Sequence, residues 1–406
     1  MNMGKPIIRF RGYTDDWEQR KLPEFVSFFN GLTYTPDDVE ETGTLVLRSS
    51  NVKNGEIVDA DNVYVNAKVA TSENVHEGDI IVVVRNGSRA LIGKHAQIKA
   101  SMPNTGIGAF MSGMRSEHSS FVNALLDTSA FENEIAKNMG ATINQITGYM
   151  FSKMEFMIPS GDEQQKIGEY FQSLDHLITL HQRKCDETKK LKKYMLQKMF
   201  PQNGQSVPEI RFEGFTDDWE QRKLETVATF SKGSGYSKGD LQEVGTPIIL
   251  YGRLYTKYET TISEIDTFVN EKSGSVYSKG GEVIIPASGE TAEDIARAAT
   301  VEIKGILLGG DLNVITPDEN VDSAFLALSI SNGAAHKELA SKAQGKSVVH
   351  IHNAEIQALN IAFPSKPEQS RISGYFANLD HLITLHQNKC EELKKLKKFM
   401  LQNMFV

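Results

Sequence analysis

Residues 167–200 read IGEYFQSLDHLITLHQRKCDETKKLKKYMLQKMF, and residues 372–405 read ISGYFANLDHLITLHQNKCEELKKLKKFMLQNMF, with 25 of 34 positions identical. Within each copy, the mostly apolar residues of one helix face, which we call the seam, follow one another at alternating steps of four and three. A 3.5-residue period keeps one face of a helix against a partner helix. The pattern predicts two long helices, each the partner of the other, with helix-packing residues Phe171, Leu174 and Ile178 in the first copy and Phe376, Leu379 and Ile383 in the second.

The same seam contains residues that are not apolar. His181 and Lys192 occur in the first copy, and His386 and Lys397 take the equivalent positions in the second. Isolated polar residues in a helix seam are typical of features that fix register, so we interpret them as register or docking features. The only two cysteines, Cys185 and Cys390, also lie in the seam without a CxxC motif, which favours reduced thiols in a cytoplasmic protein.

A second repeat precedes each diverged region. Residues 6–22 read PIIRFRGYTDDWEQRKL and residues 208–224 read PEIRFEGFTDDWEQRKL, with 14 of 17 positions identical. The chain is therefore a tandem duplication of an entry segment, an arm and a long helix. The predicted division is into a first arm domain, a first helix, a second arm domain and a second helix at residues 1–159, 160–200, 201–363 and 364–406.

The two arms share only a similar order of predicted strands, helices and loops. Strand-like runs occur at residues 79–85 and 282–286, and a helical stretch follows at residues 121–139 or 325–342. A glycine loop and a last strand close each arm before the proline that precedes the long helix. We predict two mixed α+β arms with curved antiparallel sheet, joined by the two long, coiled-coil-like helices.

Composition and charge limit the classes of function. The chain has 406 residues, 40% hydrophobic and 24% charged, which suits a soluble globular protein. No long apolar run or leader pattern is present, so a cytoplasmic protein without a membrane span is expected. The net charge of −8 counts against a simple nucleic-acid binder, but residues 80–116 contain five Lys and Arg residues and no acidic residue.

A search for catalytic motifs finds none. Gly345-Lys346-Ser347 resembles the end of a phosphate loop, but Ala340 stands where that loop needs its first glycine. His350-x-His352 has the spacing of metal ligands but no third ligand nearby, so alternating histidines on a strand or loop are the more common explanation. The sequence predicts no catalytic residue, no metal site and no bound cofactor.

Binding of nucleic acid is the alternative to a catalytic function. Arg, Asn and Gln are the side chains that make paired hydrogen bonds to guanine or adenine edges, and they recur in glycine-rich loops of both arms. The segments 135–154 and 339–354 also lack Asp and Glu. The DNA-binding candidates are Arg48, Asn51, Lys53, Arg85, Asn86, Ser88, Arg89, Lys94, Gln145, Thr147, Tyr251, Arg253, Ser288, Lys342, Gln344, Lys346 and Ser347.

The order of these parts resembles the specificity subunit of a bacterial type I restriction-modification enzyme. The resemblance rests on RFxG[YF]TDDWExRKL, a variable arm, and [YF]FxxLDxLITLHQ with a lysine-rich helix, all repeated. It implies that each arm is a target recognition domain for one half of a bipartite DNA site. It also implies pseudo-twofold symmetry, antiparallel packing of the two helices, which set the unread gap, and docking of two modification subunits.

The resemblance further implies a non-catalytic chain. The modification subunits would use S-adenosylmethionine to methylate adenine, and restriction subunits would use ATP and Mg²⁺ to translocate and cleave DNA. Two other interpretations remain open from the residues alone: a coiled-coil scaffold or adaptor with no nucleic-acid role, and a stand-alone DNA-modifying enzyme. The scaffold does not explain why the arms diverge inside a fixed frame, and the enzyme lacks its motifs.

Overall fold

The computed structural model describes residues 4–70, 72–139, 144–202, 205–345 and 348–406. The chain divides into two compact units. The first unit combines Met1–Gln182 with Asn388–Val406, and the second unit is Arg183–Gln387. Each unit therefore joins one arm to the beginning of the long helix that follows it and to the end of the other long helix. The boundaries between the two units fall within the two long helices. The division predicted from the sequence instead places each long helix in a segment of its own, apart from the arms.

The first arm contains short strands and three short helices before its long helix. The strands are β1 (Glu18–Lys21), β2 (Ser27–Asn30), β3 (Val39–Glu40), β4 (Thr44–Leu47), β5 (Val52–Lys53), β6 (Glu56–Ile57), β7 (Tyr64–Val65), β8 (Ile80–Val83), β9 (His95–Gln97), β10 (Thr105–Ile107), β11 (Met111–Arg115) and β12 (Glu155–Ile158). The helices are α1 (Ser119–Leu126), α2 (Ser129–Asn138), α3 (Gly148–Phe151) and α4 (Gly161–Lys198).

The second arm, with the long helix that follows it, repeats this layout. Its strands are β13 (Glu220–Lys223), β14 (Ala228–Lys232), β15 (Leu241–Gln242), β16 (Thr246–Ile249), β17 (Thr261–Ile262), β18 (Phe268–Val269), β19 (Glu282–Pro286), β20 (Ser288–Gly289), β21 (Ala299–Val301), β22 (Leu307–Leu308), β23 (Leu312–Pro317), β24 (Val349–His350) and β25 (Asn360–Phe363). Its helices are α5 (Arg253–Thr256), α6 (Ala292–Ile295), α7 (Ser323–Ser331), α8 (Gly333–Lys342), α9 (Asn353–Gln357) and α10 (Lys366–Met404). Short 3₁₀ turns lie at Leu22–Glu24, Pro36–Asp38, Ser49–Asn51, Arg89–Leu91, Leu224–Thr226 and Lys238–Asp240.

The sheets confirm a mixed α+β architecture in each arm. In the first arm, one sheet has the order β2-β11-β8-β9 and the other β10-β4-β7-β3. In the second arm, the corresponding sheets are β14-β23-β19-β21-β17 and β15-β18-β16-β22. Most pairs are antiparallel as predicted, but β4 with β10, β16 with β22 and β17 with β21 are parallel. Each parallel pair joins strands that are distant in sequence, and strand periodicity alone does not reveal such pairing.

The two long helices pack against each other inside each unit. In the first unit the Phe171 and Phe405 rings lie 5.8 Å apart, and the Cys390 thiol lies 3.9 Å from the Ile178 carbonyl oxygen. The partner number falls as the α4 number rises, so this packing is antiparallel. The second unit repeats it: the Phe376 and Phe200 rings are 6.1 Å apart, and the Cys185 thiol lies 4.0 Å from the Ile383 carbonyl. The predicted antiparallel helices are confirmed in both units.

The predicted packing residues occupy this contact. Phe171 and Leu174 belong to the buried core of the first unit, and Phe376 and Leu379 to that of the second. Ile178 and Ile383 are only partly buried. Both cysteines are free and buried.

Two of the polar seam residues form ion pairs. The Lys397 ammonium lies 2.6 Å from Asp175 on α4 and 2.6 Å from Asp127 at the end of α1. The equivalent Lys192 contacts Asp380 on α10. Asp127 also faces the buried His95 ring at 3.4 Å. Burial alone would raise the pKa of Asp127, but hydrogen bonding and charge from His95 and Lys397 outweigh it and lower this pKa to about 2.

The entry segment attaches each arm to its helix. Strand β1 pairs with β12, the strand that leads into α4, and β13 pairs in the same way with β25 before α10. The Arg9 guanidinium makes two hydrogen bonds of 2.7 Å to the Glu163 carboxylate in the first turn of α4. An acidic residue there also complements the positive end of the helix dipole. The repeated motif therefore builds a fixed joint between entry segment and helix.

Candidate nucleic-acid interface

In the first arm, the loops predicted to bind DNA converge. The Asn86 amide lies 3.3 Å from the Ser49 hydroxyl, and the Lys94 ammonium donates to the Ser49 carbonyl at 3.2 Å. The Asn144 side chain donates to the Gly87 carbonyl at 3.0 Å. Three segments that are distant in sequence, residues 48–53, 85–94 and 144–147, thus form one surface, which we call the first-arm loop surface.

Exposed basic and aromatic side chains crowd this surface. Lys53, Arg85 and Arg89 are exposed. The Arg85 guanidinium lies 5.0 Å from the centre of the Phe110 ring, which is 55% exposed. An exposed aromatic ring is suited to apolar contact with a thymine methyl group, and the basic side chains are suited to phosphates and guanine edges. Ser88 and Thr147 are exposed beside them, and Gln145 is partly exposed.

The second arm has a loop surface at the equivalent place. The Ser288 hydroxyl lies 3.4 Å from a ring nitrogen of His350, and Gln344 and His350 exchange backbone hydrogen bonds of 3.1 and 2.8 Å. The Tyr255 hydroxyl donates to the Ser288 carbonyl at 2.8 Å and lies beside Tyr251, which is 37% exposed. Burial raises the pKa of Tyr255, so this hydroxyl keeps the proton that it donates.

The two loop surfaces are built on one pattern with different side chains. In each surface, a residue that follows the central strand β8 or β19 forms a backbone bridge with a residue that precedes the short helix α3 or α9. In the first arm this bridge joins Arg85 to Gln145, and in the second arm it joins Ser288 to His350 through β20 and β24. The same scaffold position therefore offers an Arg and Gln pair in one arm and a Ser and His pair in the other.

Two residues of the second surface were missed from the sequence. His350 and His352 follow Gln145 and Thr147 by 205 positions, the spacing of the repeated helices. The two imidazole rings are exposed and stacked, with centres 6.5 Å apart and planes inclined by 5°. Applying the repeat spacing to the first-arm candidates would have identified both histidines as loop-surface residues.

Two candidates are corrected because the structure places them in the interior. Asn51 is fully buried, and its amide donates to the Ala60 carbonyl and to Asn62, which closes the loop. Arg253 is 8% exposed and pairs with Asp266 at 2.6 Å and Glu259 at 2.8 Å. The Asn51 amide and the two terminal nitrogens of Arg253 bond within the arms, so neither side chain is available to a base edge.

Further candidates are held by neighbours while staying partly exposed. The Arg48 guanidinium bonds to Asp61 at 2.6 Å, and the Lys342 ammonium bonds to Glu338 at 2.7 Å. Lys346 and Ser347 lie outside the described residues. Within the described ranges, no group of three or more His, Cys, Asp or Glu residues could hold a metal ion, and no helix could cross a membrane.

The fold and these surfaces define a class of duplicated proteins in which two different α+β arms are attached to two long helices. Residues 14–190 and 216–395 match the family described as type I restriction modification DNA specificity domain. These segments cover most of the chain, so the chain belongs to this family. The resemblance identified from the sequence is thereby confirmed.

The curated proteins that this chain resembles are specificity subunits of type I restriction enzymes. The chain is 22% identical over 275 residues to the type I restriction enzyme MjaVIII specificity subunit of Methanocaldococcus jannaschii, covering 65% of this chain and 64% of that protein. It is 24% identical over 247 residues to the EcoKI specificity subunit of Escherichia coli K12, covering 58% and 53%. The matched region is therefore about half to two thirds of these curated relatives.

A solved structure extends the likeness to the whole fold. The S subunit of the type I restriction-modification system of M. genitalium has a TM-score of 0.66 to this chain. The alignment covers 99% of both chains at 13% identity. At this identity the likeness establishes the fold alone.

Proposed function

We propose that this chain is the DNA-recognition subunit of a type I restriction-modification complex. Each arm reads one half of a bipartite, asymmetric double-stranded DNA site through its loop surface. The observation that carries this proposal is the convergence of the loops at one equivalent place in both arms, with different side chains in each. It is supported by the family to which the chain belongs.

The side chains support reading of different half-sites. Arg85 and Gln145 are suited to guanine and adenine edges in the major groove. Ser288 and His350 offer a different set of donors and acceptors at the equivalent position. Contacts to bases determine which DNA sequence is bound, whereas contacts to phosphates determine how the protein is placed on the duplex. A change of the bridge residues on a constant scaffold therefore changes the sequence that is read.

The long helices set the gap between the half-sites and dock two modification subunits. Exposed apolar side chains along them support protein docking: Leu382 and Leu385 are 41% and 52% exposed, and Leu191 and Tyr194 are 45% and 49% exposed. Apolar side chains in such number on a helix surface are typical of interaction sites. The chain itself has no catalytic role in this proposal.

The partner subunits supply the chemistry. The modification subunits bind S-adenosylmethionine and methylate adenine in each half-site, and the restriction subunits use ATP and Mg²⁺. The assembled complex acts in phage defence. The sequence contains no recognised catalytic motif, which supports this assignment of the chemistry to the partner subunits.

Exchange of one arm tests the proposal. We expect that replacing residues 23–158 with the first arm of another family member changes one half of the methylated sequence and leaves the other half unchanged. Sequencing of methylated adenines in cells that express the complex measures this. The wild-type chain with the same modification subunits is the control. If neither half changes, a coiled-coil scaffold without a nucleic-acid role is favoured, and if both change, the assignment of one arm to one half-site is wrong.

A single substitution tests the first-arm loop surface. Arg85→Ala should weaken binding of the assembled complex to its site by about 1–3 kcal/mol, because a paired contact to a base edge is lost. The weakening should disappear when the first half-site is already mutated. Arg11→Ala, which removes an exposed arginine from the entry segment, is the matched control and should bind normally. Equal weakening by Arg85→Ala on all DNA sequences would assign Arg85 to a phosphate instead.

A further inference from the structure

A large groove in the second unit lies between the end of α4 and the junction of α7 with α8. Its volume is about 870 Å³. We call it the lysine groove and define it by Lys189, Lys193, Leu196, Asn332, Lys337 and Ile383. None of these residues belongs to the loop surfaces described above.

The lysine groove has unbalanced positive charge. The two carboxylates that line it are already engaged, since Asp380 pairs with Lys192 and Glu209 pairs with Lys198. Among the described residues, no carboxylate lies within ion-pair distance of Lys189, Lys193 or Lys337. Three ammonium groups with no internal counter-charge face one open groove, so an anionic occupant gains attraction there.

The first unit contains the same groove with other charges. It is smaller, about 420 Å³, and Lys394, Lys398 and Leu401 take the places of Lys189, Lys193 and Leu196. Asp127 and Glu132 stand where the lysine groove has Asn332 and Lys337. These two differences together lower the charge of the first-unit groove by three units. The repeat has preserved the position of the groove but neither its size nor its charge.

The floor of the lysine groove indicates which anion fits. Leu196 and Ile383 contribute aliphatic surface that is only partly buried. An acidic, amphipathic protein segment would cover this surface and meet the lysines at the rim. The sugar-phosphate backbone of DNA offers the charge but little aliphatic surface, so a protein segment matches both properties.

We infer that the lysine groove docks an acidic amphipathic segment of a partner protein, and that the first-unit groove does not. This inference rests on the proposed function, in which the helices dock two modification subunits. The two copies of that partner then bind one chain unequally. The copy at the second unit is held by an interaction that salt weakens, because exposed charges are screened over about 8 Å at physiological ionic strength.

The test uses the full chain and the purified modification subunit. Isothermal titration at about 50 and 500 mM salt should resolve two sites, of which one weakens much more at high salt. Lys337→Glu, which introduces the residue type of the first-unit groove, should weaken the salt-sensitive site by about tenfold or more and leave the other site unchanged. Glu132→Lys is the reciprocal variant and should strengthen the salt-insensitive site. Lys337 and Glu132 are both exposed, so neither change disturbs folding.

Three outcomes overturn the inference. The first is two sites with equal salt dependence, and the second is an unchanged isotherm for Lys337→Glu. The third is a Lys337→Glu variant that assembles normally but binds a DNA duplex more weakly, which would assign the lysine groove to phosphates. If the wild-type chain binds no modification subunit, the proposed function fails together with the inference. If it binds normally and only the Lys337 result is negative, the inference alone fails.

Discussion

Replacing Arg9 by methionine should destabilise the first unit by about 3–5 kcal/mol, because removal of one partner leaves a buried charge unpaired. Glu163 has a fully buried side chain, and Arg9 supplies both of the hydrogen bonds described for its carboxylate. The measurement is denaturant unfolding followed by fluorescence. The chain has two tryptophans, Trp17 in the core of the first unit and Trp219 in that of the second, so each unit has its own reporter. In a Trp219→Phe background, only the first unit is observed.

Two variants control the Arg9 experiment. Arg9→Met combined with Glu163→Leu should recover most of the lost stability, because an apolar replacement of a buried ion pair is often neutral. Arg211→Met should produce the same loss in the second unit, where Arg211 binds Glu368 at 2.6 and 2.7 Å. A loss below about 1 kcal/mol for Arg9→Met, or no recovery in the double variant, would mean that water reaches Glu163 and the joint is not rigid.

The repeated parts of the chain were predictable because the same residues at the same spacing occur in both copies. The long helices and the packing residues Phe171 and Phe376 follow from periodicity and identity between copies, whereas the antiparallel packing was implied by the family resemblance. The ion pair of Arg9 with Glu163 was not predicted, although both residues recur as Arg211 and Glu368. Periodicity reports which face of one helix is apolar, whereas this pair joins residues 154 positions apart.

The arms were predictable only in outline. Strand β19 was predicted within its observed bounds, but the parallel pairs were missed because they depend on long crossovers. For the loop surface, the convergence of Arg85, Asn86 and Gln145 agrees with the sequence-based candidates, and their contact with DNA remains a proposal. Asn51 and Arg253 were misjudged because exposure depends on partners such as Asp266, which arrive from elsewhere in the chain. Residue type predicts what a side chain can bind, and the fold decides whether it is free to do so.

Replacing Lys397 by methionine should destabilise the first unit by about 3–5 kcal/mol at pH 7, again because buried charge loses its partner. Lys397 lies 2.6 Å from both Asp127 and Asp175, so its removal leaves two neighbouring carboxylates facing each other, although Asp127 keeps its contact with His95 at 3.4 Å. The matched variant is Lys192→Met, which leaves only Asp380 unpaired. The Asp380 side chain is 36% exposed, against 24% for Asp175 and 30% for Asp127, so water can replace part of the lost interaction. We expect Lys192→Met to cost about 1–2 kcal/mol in the second unit, in the lower part of the range for incompletely buried charges.

The pH dependence distinguishes lost charge pairing from lost packing. Burial already raises the pKa of Asp175 in the wild-type protein, and loss of the Lys397 charge should raise it further. A carboxyl group whose pKa is higher in the folded state than in the unfolded state binds its proton more tightly when folded, so a fall in pH stabilises the folded state. The cost of Lys397→Met should therefore shrink between pH 7 and pH 5, measured by Trp17 fluorescence in the Trp219→Phe background. A cost that stays constant over this range would mean that the aliphatic stem of Lys397, and not its charge, holds α10 against α1 and α4.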